Sequence, residues 1–293
     1  WVLDNVSSLH QLSFRESSEP ILFKPRDGYR TRLSPTVLGP VVDYYLPAAP
    51  VEPIIIEILD SKGAVVNSYN SDTPAPRPGR GPAGANMPGV GGAGPESQPA
   101  DPDAAPVRRG TPPPRVTKVA GLNRFAWDVR NQAGVMVLPG HYQVRLKSGS
   151  TTLVQPLNVL IDPRVAADGV TLADLQEQFD HNMRVRELVN EVNQLVNRVR
   201  DAQNKSKTTA GSGNGNISSE ALNAVAAKLL TEPVRYGKPG LQAHITYLAG
   251  MTANVDQKIG RDAIQRYEVL KKELETTRAE VDRILGPPLK SQL

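Results

Sequence analysis

Cysteine is absent from the 293 residues, which removes disulfides, thiolate metal sites and cysteine nucleophiles at once. Histidine is scarce, with four in the chain. Aromatic residues are few, at Trp 2, Tyr 8 and Phe 4. No apolar run reaches the ~18 residues that a membrane-spanning helix needs. Charge of either sign is not in excess: Lys+Arg 34 against Asp+Glu 30 leaves a net +4. No basic cluster exceeds Arg108-Arg109 or Lys271-Lys272, so the basic face expected of a nucleic-acid binder is missing. Also missing are G-x-S-x-G, H-E-x-x-H, a phosphate loop and a dinucleotide fingerprint. No cofactor, catalytic or metal residue is therefore expected.

Proline is plentiful, at 26 residues, and much of it falls in one place. Residues 74–114 contain 12 Pro and 8 Gly. A stretch so poor in apolar residues cannot offset the entropy of ordering itself, so an exposed, mobile insert is expected. Pro112-Pro113-Pro114 could serve a partner as a polyproline ligand.

Strand signals flank the insert. Val41–Leu46 and Ile54–Leu59 are β-branched or alternating runs. Asp60-Ser61-Lys62-Gly63 forms a turn into Ala64–Tyr69. Beyond the insert, Phe125, Trp127 and Val129 alternate to one face, as do Tyr142, Val144 and Leu146 after the Pro139-Gly140 turn. Lys147–Ser150 closes a hairpin into Thr151–Val154 and Leu157–Ile161. About seven short strands predict an antiparallel β-sandwich.

The period then changes from two to about 3.6. Thr171 and Asp174 form a capping box. Leu172, Leu175, Phe179, Val185, Leu188, Val192, Leu195 and Val199 make a stripe about 30 residues long. Ser219 opens a shorter helix with Leu222, Val225 and Leu229. A third runs from Leu241 to Ile259, and a fourth, capped by Asp262, from there to a stop at Gly286. An antiparallel bundle of three long helices plus one short helix is the simplest packing.

Two resemblances stand on particular residues. Ile56–Gly63, Gly121–Asp128 and Leu138–Val144 resemble successive segments of the Ig-like domain found in flagellar hook-capping proteins. Trp1–Leu12, Lys24-Pro25-Arg26 and Val42–Leu46 look like the exit from a β-propeller in large secreted bacterial proteins. Those proteins carry sortilin-like, sialidase-type (BNR) repeats and are often labelled glycosyl hydrolases. The resemblance implies an α+β multidomain chain: residues 1–14 the exit strand of an upstream propeller, 15–165 an Ig-like β-sandwich with the insert, and 166–293 the helical bundle. It also implies a secreted, periplasmic or outer-surface location in a bacterium. The chain opens on Trp1 without an initiator Met, so it is expected to be part of a longer polypeptide.

The chemistry-bearing residues are thinly spread. His10 falls in the exit strand and His141 in a turn. Glu177 and His181 stand at i and i+4, a spacing that ligates metal but equally a surface ion pair. His244 flanks an apolar stripe. Asp43, Asp60 and Asp128 read as strand-end residues, and Asp101 and Asp103 fall in the insert. Asn5, Asn204 and Asn216 begin chance glycosylation triplets. Phe125, Trp127 and Tyr142 are expected in the core, leaving Tyr44, Tyr45, Tyr69 and Tyr236 as candidate surface rings. The leading expectation is a non-catalytic docking or assembly region of a propeller protein. Its partners would be the upstream propeller, or other proteins met through the bundle or the Pro-rich loop. A glycan-binding accessory region of a glycoside hydrolase, or a subunit of a membrane-associated assembly, are the alternatives.

Overall fold

A computed structural model describes residues 8, 11, 18–31, 39–73, 114–209, 219–232 and 237–287. The expected strand at Trp1–Asp4, His10, Asp101, Asp103, Tyr236, Asn5, Asn216 and all of the insert but Pro114 lie outside them.

Among the described residues Ser8 and Gln11 are helical, and eight strands come after them: β1 (Ile21–Leu22), β2 (Gly28–Arg30), β3 (Val41–Leu46), β4 (Ile54–Leu59), β5 (Val65–Asn70), β6 (Gly121–Ala126), β7 (Gly140–Ser148) and β8 (Thr151–Ile161). Five helices follow: α1 (Pro163–Ala167), α2 (Leu172–Thr209), α3 (Ser219–Leu229), α4 (Leu241–Ala253) and α5 (Arg261–Leu285).

The expected Ig-like antiparallel sandwich followed by an antiparallel helical bundle is not what the chain forms. The structure is an α+β mixture with a curled, mixed five-stranded sheet, half of a barrel, an antiparallel three-stranded sheet, and helices. The small sheet has the order β1-β3-β6, and the large one β2-β8-β7-β4-β5. Strand β4 pairs antiparallel with both β5 and β7. A two-residue loop, Gly149-Ser150, joins β7 to β8, and a loop so short permits only antiparallel pairing. The parallel pair that makes the sheet mixed is therefore β2 with β8. Period-two alternation marks a strand and its buried face, but carries no information about which strand lies beside it.

Contacts divide the chain into two compact units. One comprises Trp1–Gly28, Leu33–Asp128 and His141–Asn158; the other comprises Tyr29–Arg32, Val129–Gly140 and Val159–Leu293. The first is built on apolar strand faces. Ile54, Ile56 and Ile58 of β4 are fully buried, with Tyr44, Phe125, Trp127 and Val144. Trp127 meets the half-buried Tyr142 edge-on at 5.5 Å, and Tyr69 packs on Phe125 at 4.8 Å. Gly28 has no room for a side chain, since a Cβ there would stand 2.3 Å from the Pro40 backbone nitrogen. The strand expected through Val129 stops at Ala126. Val129 takes a positive φ of 58°, a conformation that β-branched residues rarely tolerate. It then opens a hairpin in which Arg130 bridges Met136.

The second unit is dominated by α2, whose 38 residues span about 57 Å at ~1.5 Å per residue. Its capping box forms as expected: the Asp174 amide donates to the Thr171 hydroxyl at 3.1 Å, and the Thr171 amide to the Asp174 carboxylate at 2.9 Å. These bonds hold the Asp174 carboxyl below its usual range. Val185, Leu188, Val192, Leu195 and Val199 join one core with Val225, Leu229, Leu241, Ile245, Leu248, Tyr267, Leu270, Leu274 and Val281. Each fully buried aliphatic side chain contributes roughly 1.5–3 kcal/mol. The third helix ends at Ala253 rather than Ile259, although Ile259 is buried. The N-cap of α5 is Gly260, and Asp262 sits inside its first turn.

Helix α1 shows local chemistry deciding a start. Asp162 caps it, accepting from the Arg164 amide at 3.0 Å and Nε at 2.9 Å. The Arg164 hydrogen bonds outweigh burial and hold the Asp162 carboxyl at about 2. Asp162→Ala is expected to cost about 1 kcal/mol, read as a lower urea midpoint at pH 7. The folded pKa lies below the unfolded one, so this stabilisation is present above about pH 4 and disappears as pH falls through about 2. A midpoint unchanged by the substitution would show the cap to be idle.

Candidate functional site

The most concentrated polar chemistry lies inside the second unit, where the first half of α2 meets the end of α4. Helical spacing puts Gln178, His181, Asn182 and Arg186 on neighbouring positions of one α2 face. Gln178 and His181 are wholly buried. The Gln178 Nε2 donates to the Thr252 carbonyl at 3.0 Å and the Val255 carbonyl at 2.6 Å, and Asn182 Nδ2 donates to Thr252 at 3.1 Å. A helix end leaves its last carbonyls without intrahelical donors, and here two amide side chains from α2 supply them. Beyond α4 stands Asp256, 2.6 Å from Arg30 Nη1, with both side chains 2% exposed. Arg30 also donates its Nε to the Val137 carbonyl at 2.9 Å, which ties β2 to the 129–137 hairpin. Asn131 of that hairpin reaches Met183 Sδ at 3.3 Å.

His181 has a different situation. Its ring packs edge-on against Tyr267 of α5 at 5.9 Å, and the Arg184 guanidinium lies 5.3 Å from the centre of the same tyrosine ring. Neither ring nitrogen has a hydrogen-bond partner among the described residues, and the same holds for Gln178 Oε1, Asn182 Oδ1 and Arg186 Nε. Burial, assisted by the Arg184 charge, lowers the His181 pKa below its usual 6.5. Burial likewise raises Tyr267. The expected surface pairing of Glu177 with His181 is corrected: Glu177 is exposed while His181 is not. No group of three or more His, Asp and Glu residues able to hold a metal occurs among the described residues. The seam presents a neutral imidazole, amides and a closed ion pair, which is the chemistry of packing.

The remaining sequence candidates are dispersed. Asp43 lies inside β3, not at its end, and accepts Arg124 Nε at 2.7 Å and Nη2 at 3.0 Å across the β3–β6 pair. Asp60 does form its turn, accepting the Lys62 and Ala64 amides at 2.8 Å each. Asp128 accepts from the Tyr69 hydroxyl at 3.3 Å. His141 lies in β7, not in a turn, and its Nδ1 is 2.8 Å from Asn158 Oδ1. His244 is half-buried on α4. Glu57 stands opposite Arg145 in the β4–β7 register. Burial raises its pKa, but hydrogen bonds from Arg145 and Lys147 outweigh this and lower it overall.

The proposed surface rings fare differently from expectation. Tyr44 is fully buried, its hydroxyl 2.5 Å from the Thr117 carbonyl. Tyr45 and Tyr69 are half-buried. Among the described residues the exposed ring is Tyr247, at 70%, with Met251 at 43% following at i+4, and Val255 at 54% lying beyond the end of the helix. Helix α4 contains no Asp, Glu, Lys or Arg in its 13 residues. Sequence reasoning passed over this ridge because the opposite face supplied a complete core stripe. The unbroken lack of charge was the available signal.

No described helix is long and apolar enough to cross a membrane. Comparison with protein-family models, with curated proteins and with solved structures finds no match in any of the three.

Proposed function

We propose that the chain is a non-catalytic docking and assembly region of a secreted or periplasmic bacterial β-propeller protein, and that α4 presents its docking ridge to the propeller portion. The observation that carries the reading is the uncharged α4, with one face in the core at Leu241, Ile245 and Leu248 and Tyr247 and Met251 turned outward. A surface helix ordinarily places charge opposite its buried stripe, and aromatic and methionine side chains without charge are the composition of interface centres. Residue resemblance to the propeller-exit family supports the identity of the partner. The glycan-platform reading loses support, because Tyr44 is buried and Tyr69 stacks on Phe125.

The test introduces Tyr247→Glu and Met251→Glu together into the full polypeptide. Because both side chains are exposed, folding is expected to be unchanged, within about 0.5 kcal/mol for surface substitutions. Limited proteolysis should then release the present region from the propeller, which stays associated in the parent protein. Continued association after cleavage in the variant would count against the reading.

A further inference from the structure

We propose that His181 makes the α2–α4–α5 seam acid-sensitive, so that protonating its ring opens the first half of α2 from α4 and α5. This does not depend on the docking reading. Three observations on geometry carry it. The ring is wholly enclosed, with both nitrogens lacking hydrogen-bond partners among the described residues. It sits on the helical face whose neighbours Gln178 and Asn182 both donate to the Thr252 carbonyl at the end of α4. Its aromatic neighbour, Tyr267, belongs to α5.

A buried charge is tolerated where an acceptor or counter-charge receives it. Among the described residues no carboxylate is hydrogen-bonded to His181; the acceptors without partners on its own face are the neutral amide oxygens Gln178 Oε1 and Asn182 Oδ1. Arg184 on its own helix is a cation and opposes a second positive charge. On α5, Tyr267 offers the edge-on ring, and the fields of Lys271 and Glu268 reach that ring, as does Glu187 of α2. At the end of α4 the Thr252 carbonyl accepts from Gln178 and Asn182, and beyond the helix the Val255 carbonyl accepts from Gln178. Asp256 is committed to Arg30. With no counter-charge to meet it and Arg184 opposing it, an imidazolium is disfavoured in the closed seam and is favoured where the seam parts and water reaches the ring.

The folded-state pKa lies below the unfolded 6.5, so the folded chain binds fewer protons than the unfolded one. Stability is complete above about pH 6.5 and falls as pH drops toward the folded value. One proton linked in this way changes the unfolding equilibrium constant by about tenfold per pH unit across that interval.

The experiment follows the His181 imidazole by NMR from pH 8 to 4.5 in the intact chain, together with urea midpoints and amide exchange over the same range. The ring is expected to titrate below 6.5, with amide exchange at residues 178–182 accelerating as it does. The same measurements on His181→Phe and His181→Gln, neutral at every pH, should show the midpoint slope between pH 7 and 5 reduced by one proton. If His181→Phe does not fold, His181→Gln and the wild-type ring titration decide the matter. A ring that titrates at or above 6.5, or a slope unchanged in the variant that folds, overturns the proposal.

Discussion

Asp256→Ala is expected to destabilise the chain by about 3–5 kcal/mol, the cost of breaking a buried ion pair by removing its carboxylate. Arg30 and Asp256 are each 2% exposed at the side chain and 2.6 Å apart. Removing the carboxylate leaves a guanidinium that water does not reach, beside a hairpin carbonyl that it already serves at Val137. The double replacement Arg30→Met with Asp256→Leu removes both charges and should recover most of the loss, because well-packed apolar residues often match a buried pair. Urea denaturation at pH 7 measures all three. A loss below about 1 kcal/mol in the single variant would mean that solvent reaches the pair, since exposed pairs are worth that little.

Trp127→Ala carries the second large effect, about 3–5 kcal/mol, from lost burial and the cavity that remains. Trp127 is fully buried in the strand unit, edge-on to Tyr142. Its backbone amide donates to the Pro40 carbonyl at 3.0 Å, so the residue sits where β6 ends and cannot slide along its strand to fill the space. Trp127→Phe should cost markedly less, because a ring remains to meet Tyr142. Thermal or urea unfolding followed by far-ultraviolet circular dichroism distinguishes the two. Equal losses for Ala and Phe would point to the indole N–H rather than ring volume.

These two sites differ in how far sequence alone could find them. Trp127 stands in an alternating run, and alternation identifies a buried face without knowledge of partners. The same reasoning placed β3 and β4 to the residue and found the capping box at Thr171 and Asp174. Arg30 and Asp256 show no local pattern. Arg30 stands two residues before Arg32 and Asp256 two before Lys258, with nothing to mark either as buried, and only the folded chain brings them together. The sheet arrangement failed for the same reason: the β2–β8 pairing joins distant segments, and local periodicity is identical in a sandwich and in a curled mixed sheet. His181 was misjudged because an i,i+4 carboxylate suggested a surface pair, whereas the spacing of Gln178, His181 and Asn182 beside Leu175 and Val185 marks an inward polar face. The ridge on α4 was visible as an absence of charge, although its exposure was not.

Docking through α4 is the central claim, and oxidative footprinting tests it most directly. Met251 is 43% exposed, whereas Met136 is 7% exposed and Met183 half-buried, so among the described methionines hydroxyl radicals should oxidise Met251 ahead of Met136 and Met183 in the isolated chain. The same exposure applied to the full protein from its natural source should leave Met251 protected by several-fold, with Met136 unchanged as the internal reference. Equal oxidation of Met251 in the isolated chain and in the full protein would contradict the account.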